Sequence, residues 1–371
     1  MVKIDSHVFE KILIVTGTII ITTGGNMSGH KRKMVFIVWA FCVVALLSGC
    51  KTLTTTAFTY GQPKADPDLS VDIYKPYKAY NGTTLFADYH KPHRPRIIEV
   101  NMRGEIVWEY VLPGYLREYI HPGFDVELLP NNNILFVAPR KGVYEVNRNG
   151  KIVWSYEDRK VSHDADRLPN GNTLVVWCCS NDKSEAVVKE INPRGGIVWS
   201  WSAKKYFNKP PYNDISFQGW THANAVTRLP NGNTIISLRN FDLTVEVDPQ
   251  GAVVWSFDCG SLGTYPHEPE ILPNDNMLVA IHCPPPGCWD QVVEIKRPTK
   301  ETVWHFTTRG MKVTRDADRL PNGNTLIVER IKIFEVTPDG EIVWRLRVRG
   351  VSGTKRDFEK FFYKAQRIPP H

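Results

Sequence analysis

The chain has 371 residues, 42% of them hydrophobic and 23% charged, which excludes a disordered chain and supplies core for one large repetitive domain or two ordinary ones. Lys and Arg outnumber Asp and Glu by 46 to 39, but the first fifty residues hold five of those bases and two of the acids, leaving about +4 elsewhere. An excess so mild and dispersed argues against nucleic acid as a partner.

The first predicted element is a processing segment. "HKRK" (30–33) supplies positive charge, "MVFIVWAFCVVALL" (34–47) is short for a membrane span and right for a signal-peptide core, and "LSGC" (47–50) follows. The small residues before Cys50 resemble a bacterial lipobox. Residues 1–50 are therefore read as a signal peptide with translation starting at Met27, and 51–70 as a linker. The expected product is an exported lipoprotein, periplasmic or on the cell surface, held to a membrane through lipid on Cys50. Export places the remaining cysteines in an oxidising compartment. "CPPPGC" (283–288) offers a small loop closure, and adjacent Cys178 and Cys179 are expected to be packed thiols. No C-x-x-C pair occurs, which argues against a cysteine zinc site.

From residue 71 onwards two motifs recur. "ELLPNNNILFV" (127–137), "DRLPNGNTLVV" (166–176), "TRLPNGNTIIS" (227–237), "EILPNDNMLVA" (270–280) and "DRLPNGNTLIV" (318–328) make one half of a repeat. "GEIVWEY" (104–110), "GKIVWSY" (150–156), "GIVWSW" (196–201), "GAVVWSF" (251–257), "ETVWHF" (301–306) and "GEIVWRL" (340–346) make the other. Short β-branched and aromatic runs separated by Asn-Gly, Asp-Gly and Gly-Gly turns predict four antiparallel strands per unit, the pattern of a propeller blade. The amino-terminal "KAYNGTTLFADY" (78–89) and "RIIEVNMRGEIVWEY" (96–110) lack an inner strand, and the carboxy-terminal "YKAQRIPP" (363–370) is an inner strand without a blade. Joined, they complete one blade. The expected fold is an all-β, six-bladed β-propeller over 71–371 without free edges. The six motif tryptophans are expected to pack between blades.

Six residues before each turn proline the inner strand holds Phe124, His163, Asn224, His267, Arg315 and, in the closing blade, Tyr363. His222 lies two residues before Asn224, so period two puts both on one face. These positions start the inner strand and would ring one mouth of the central channel. Arg239, at the far end of the following strand, returns to that mouth. Asp164 and Asp316 are expected to bind turn backbone or a neighbouring strand. Three imidazoles with a guanidinium suit two chemistries. Three neutral histidines can hold zinc or iron. Imidazole can instead be the nucleophile in sulfuryl or phosphoryl transfer, with cationic donors on the oxygens. A permanent cation nearby repels a divalent metal and favours the second.

At "SHDADRLPNGNTL" (162–174), "WTHANAVTRLPNGNTIISLRN" (220–240), "YPHEPEILPNDNML" (265–278) and "YKAYNGTTLF" (77–86) the chain resembles the bacterial arylsulfate sulfotransferase family, over roughly residues 70–370. The resemblance implies sulfuryl transfer from an aryl sulfate donor to a phenolic acceptor through a sulfohistidine, with no cofactor or metal. It implies His267 as nucleophile and His163, His222 and Arg239 as groups holding the sulfuryl oxygens; Asn224, Arg315 and Tyr363, which share the inner-strand register, are expected to bind substrate. The chain departs from the family pattern at Tyr265 and Pro266, where a Gly-Gln is usual, and at "AIHCPPPGC" (280–288), where an Asp-Asn is usual. The amino-terminal extra domain of the family is also expected to be missing. Two alternatives stand beside transfer: a non-catalytic, lipid-anchored scaffold, and a metal-dependent hydrolase or lyase on the three histidines.

Overall fold

The structure is a computed structural model that describes residues 61–119, 125–283, 289–350 and 362–370, and three amino-terminal strands by their backbone alone. The chain divides into two units, residues 1–56 and 57–371. In the first, strands Phe9–Val15, Thr18–Thr23 and Met34–Val38 form an antiparallel sheet in that order. Cys50, Phe124 and Cys288 lie outside the described residues.

The second unit is a six-bladed β-propeller of antiparallel sheets. Inner strands Val126–Leu128, Val161–Arg167, Ala223–Arg228, Thr264–Ile271, Asp316–Arg319 and Phe362–Ile368 open blades 1 to 6. Blade 6 joins the two ends of the domain: Phe362–Ile368 pairs with Thr83–Asp88, Ile368 opposite Thr83 and Phe362 opposite Asp88. Blade 5 gains a strand that the repeat did not predict. Leu69–Tyr74 pairs with its outer strand, Leu69 opposite Val348, so Leu69 and Ser70 of the expected linker belong to the sheet. The buried Leu69 side chain seats this strand on an edge that would otherwise be open.

The repeated residues explain the closure. In the "LPNGN" turns, the Oδ1 of Asn170, Asn231 and Asn322 accepts the backbone N–H two residues on, and glycine supplies the left-handed φ between them, 84° at Gly171. The last Asn donates to a third-strand glutamate, as Asn172 does to Glu190 at 2.6 Å. Each glutamate holds an arginine of the next blade: Arg148–Glu99, Arg167–Glu145, Arg228–Glu190, Arg297–Glu246, Arg319–Glu294 and Arg367–Glu335. That guanidinium lies over the motif tryptophan, from 4.6 Å at Trp154 to 5.0 Å at Trp108. The indole N–H in turn donates across the gap, Trp108 to the Arg148 carbonyl, Trp154 to Pro193, Trp199 to Pro249, Trp255 to Arg297, Trp304 to Pro338 and Trp344 to Met102. The tryptophans are latches between blades, as expected.

The apolar core is correspondingly a set of slabs between adjacent blades. Leu135, Val137 and Val143 of blade 1, for example, meet Val161, Val175 and Trp177 of blade 2. Rigid blades packed in this way fix where each inner strand begins.

Candidate active site

Inner strands carry the site because their pairing slips at their starts. The register shifts between Val161 and Ala165, between Ala223 and Ala225, between His267 and Glu270, and between Phe362 and Ala365. Each shift leaves His163, Asn224, His267 or Tyr363 at an irregular step, and such bulges re-aim a side chain away from simple alternation. His222 is not held in phase with Asn224 by period two. It precedes its strand with a left-handed φ of 43°, and Tyr265 and Glu268 bracket His267 with φ of 56° and 40°. Non-glycine residues in that region cost about 1 kcal/mol or more each and persist where the surroundings impose them.

Of the eight candidate mouth residues the structure brings together the seven that it describes, Phe124 lying outside them. His222 and His163 lie with ring centroids 5.0 Å apart, and His163 is 6.1 Å from the ring of Tyr363. Tyr363 is 6.4 Å from His267, which lies 4.7 Å from His282. His282 is 6.2 Å from Tyr265, whose ring carries the Arg239 guanidinium at 4.3 Å. Arg239 donates to the Gln218 side chain at 3.1 Å, and the Gln218 carbonyl accepts from His222 Nδ1 at 2.9 Å, closing the circuit. Arg315 lies over Tyr363 at 4.9 Å. Asn224 Nδ2 donates to the Pro266 carbonyl at 3.2 Å and to His267 Nε2 at 3.1 Å, which puts the His267 proton on Nδ1. That Nδ1, nearly fully buried, has no hydrogen-bond partner among the described residues.

Burial keeps the imidazoles neutral. It pushes His222 and His282 down to about 4, helped at His222 by Arg239 and at His282 by Arg315. His163 and His267 are held well below the ordinary histidine value by burial first and by neighbouring imidazoles and guanidiniums second. At neutral pH the mouth thus holds four neutral imidazoles and two cationic arginines. Neutral imidazole has the free lone pair that a nucleophile or base needs, while the arginines supply positive charge for an oxyanion.

The sequence profile of the arylsulfotransferase family (ASST) matches residues 74–280, more than half of the chain. The chain belongs to that family. No curated protein sequence matches it. Among solved structures it is similar to a protein of unknown function from Bacteroides caccae, with 20% identity, a TM-score of 0.54, and cover of 74% of this chain and 96% of that one. It is also similar to a catalytically inactive virginiamycin B lyase from Staphylococcus aureus with quinupristin, at 12% identity and TM-score 0.48 over 74% and 87% of the two chains. Hydrazine synthase from Kuenenia stuttgartiensis gives 12% identity and TM-score 0.48 over 72% and 79%. The first of these likenesses supports the propeller fold.

Several features of this mouth differ from what the sequence pattern predicts. His282 stacks on His267, yet it belongs to the "AIHCPPPGC" stretch that seemed only a departure. The register carries a signal: Cys178, Arg239, His282 and Arg330 all stand nine residues after a turn proline, at the end of the second strand or one residue past it. Arg239 itself begins a short 3-10 turn rather than ending that strand. Cys178 and Cys179 are not packed thiols but form a disulfide with each other. The backbone turns at Cys179, φ 74°, and this bond lies against His222, Cys179 Sγ 3.8 Å from Nδ1. Gly219 makes room for it, since a Cβ there would stand 2.4 Å from the Cys179 Cα. Cys283 is also disulfide-bonded, and its expected partner in the loop lies outside the described residues. The ligand atoms of His163, His222 and the two cysteines come within 4.8 Å of one another, a group that does not include His267. The three candidate histidines are therefore not gathered as one metal triad, and the disulfide sulfurs are not thiolates.

One residue deeper the character inverts. Asp125, Asp164, Glu268 and Asp316 surround Lys364, whose Nζ is 3.1 to 3.4 Å from the first three. Asp164 accepts the Val226 N–H at 2.6 Å and Asp316 the Ala365 N–H at 3.0 Å, each in the next blade, which matches their expected structural role. Burial raises Asp125 to about 8 despite Lys364, and lifts Glu268 and Asp316 well above the carboxylate range.

Proposed function

We propose that this protein moves a sulfuryl group from an aryl sulfate to a phenol through a sulfohistidine at His267. The observation that carries the reading is a neutral, oriented imidazole between two guanidiniums at the channel mouth. His267 Nε2 attacks sulfur, the S–O bond to the aryl group breaks, and the electron pair leaves on a phenolate. Asn224, which holds Nε2 in the resting site, transfers its N–H to a sulfuryl oxygen as that lone pair is used. Arg239 bears the remaining oxygen charge, Arg315 lies behind Tyr363, and His163, fixed by Ser162 at Nδ1, faces the same space.

In the second half the acceptor phenol gives its proton to His222 Nε2 and attacks sulfur, and the N–S bond returns its pair to His267. His222 is suited to this because the Gln218 carbonyl holds its proton on Nδ1. The proton then passes to the departed phenolate, so donor and acceptor exchange one SO3 for one proton. A phenol of pKa about 10 leaves with less proton assistance than an alcohol.

The test uses the domain beginning after Cys50 with 4-nitrophenyl sulfate and phenol. Nitrophenol release should require phenol as acceptor, resist exhaustive chelation and vanish in His267→Ala. Absence of turnover in the folded protein, across several donors and acceptors, would favour the scaffold reading. Loss on chelation would favour a metal reaction.

A further inference from the structure

A cavity of about 630 Å3 opens to solvent from the His163 and His222 pair. One wall is apolar, made by Pro139, Val161 and the Cys178–Cys179 disulfide. Polarizable sulfur and aliphatic carbon suit an aromatic ring. The outer rim carries Arg140, Arg159 and Lys160, all exposed, and no acidic residue lines the space. Lys160 is already paired with Glu185. Arg140 and Arg159 have no ion pair with any described residue, whereas the arginines of the blade latches all do. Two free guanidiniums at the far end of a slot whose near end is a sulfuryl site form a second anion-binding position across one ring.

We infer that this cavity receives the aryl group and selects aromatic substrates bearing a second anionic group, a carboxylate or sulfonate, distal to the transferred sulfate. The inference rests on the proposed transfer reaction for its first end and on Arg140 and Arg159 for its second. A ring seated with its sulfate at His163 and His222 directs its opposite substituent outward along the disulfide wall to the rim. A neutral ring gains the wall alone; a ring with a distal carboxylate also gains the arginines.

The experiment reads binding, so it does not depend on turnover. Calorimetry compares 4-sulfobenzoate with benzenesulfonate on the wild type, on Arg140→Gln/Arg159→Gln and on His267→Ala. Glutamine keeps the backbone demand at Arg140, where φ is 65°. We expect 4-sulfobenzoate to bind about tenfold more tightly, with each exposed arginine contributing up to about fivefold. The advantage should shrink as salt is raised and disappear in the double variant, but persist in His267→Ala. Equal affinities in the wild type, a preference retained by the double variant, or no binding of either probe would overturn the inference. A preference that holds in a protein without transfer activity would sink the reaction and leave the anion-selective slot standing.

Discussion

The mouth of the channel and the ring one residue beneath it are built from adjacent positions of the same inner strands, yet they are opposite in charge and in purpose. His163, His267, Arg315 and Tyr363 are followed by Asp164, Glu268, Asp316 and Lys364. The lower groups point at each other and at amides of the next blade, with Lys364 held by three carboxylates. The upper groups instead face the cavity that opens beside His163 and His222. Asp164 and Asp316 bond backbone of the next blade, so the lower ring reads as a tie between blades, and the upper ring, bordering the cavity, as a place for a ligand.

The comparison breaks most visibly at Lys364. Lys364→Met leaves several carboxyl groups facing one another without their cation, and denaturant unfolding should show a loss of about 3 to 5 kcal/mol. A loss below about 1 kcal/mol would mean that the ring does not tie the blades. Arg239→Gln should do the reverse: kcat falls by about a hundredfold, the scale of one lost oxyanion donor, with the unfolding midpoint nearly constant. Equal effects on both readouts would erase the distinction between mouth and waist.

The two rings should also give stability opposite slopes with pH. His222 and His282 titrate near 4 in the folded protein against about 6.5 unfolded, so their contribution is present above 6.5 and is lost as pH falls toward 4. Asp125 is raised to about 8, against about 4 unfolded, so its contribution is present below pH 4 and is lost as pH rises toward 8. Urea unfolding across pH should show the acid limb flattened in His222→Phe/His282→Phe and the alkaline limb flattened in Asp125→Asn. The smallest effect belongs to the rim of the wheel. Trp304→Phe loses the indole bond to the Pro338 carbonyl, about 1 kcal/mol of stability, and leaves turnover untouched.

The fold was legible because its determinants repeat. Turn prolines and motif tryptophans count the blades, and each serves the same contact in every blade, so Tyr363 could be placed opposite the amino-terminal strands across the whole chain. The inner-strand positions were legible for the same reason. Other parts of the site were hidden where chemistry varies along a constant register. Cys178, Arg239, His282 and Arg330 share a position but span three residue types, so the position does not stand out as a repeat. Simple alternation also failed at the mouth, because bulges at Asn224 and His267 and a left-handed His222 set the side chains there. The disulfide depends on the turn at Cys179, which adjacency alone does not reveal.

The account turns on His267 forming a bond to sulfur. The most direct measurement is rapid quenching of the protein with 4-nitrophenyl sulfate and no acceptor, followed by peptide mass spectrometry. The account predicts the mass of one SO3 group on the peptide containing His267, discharged when phenol is added and absent in His267→Ala. Turnover with an unmodified His267, or the group found on His163, His222 or His282 instead, would contradict it.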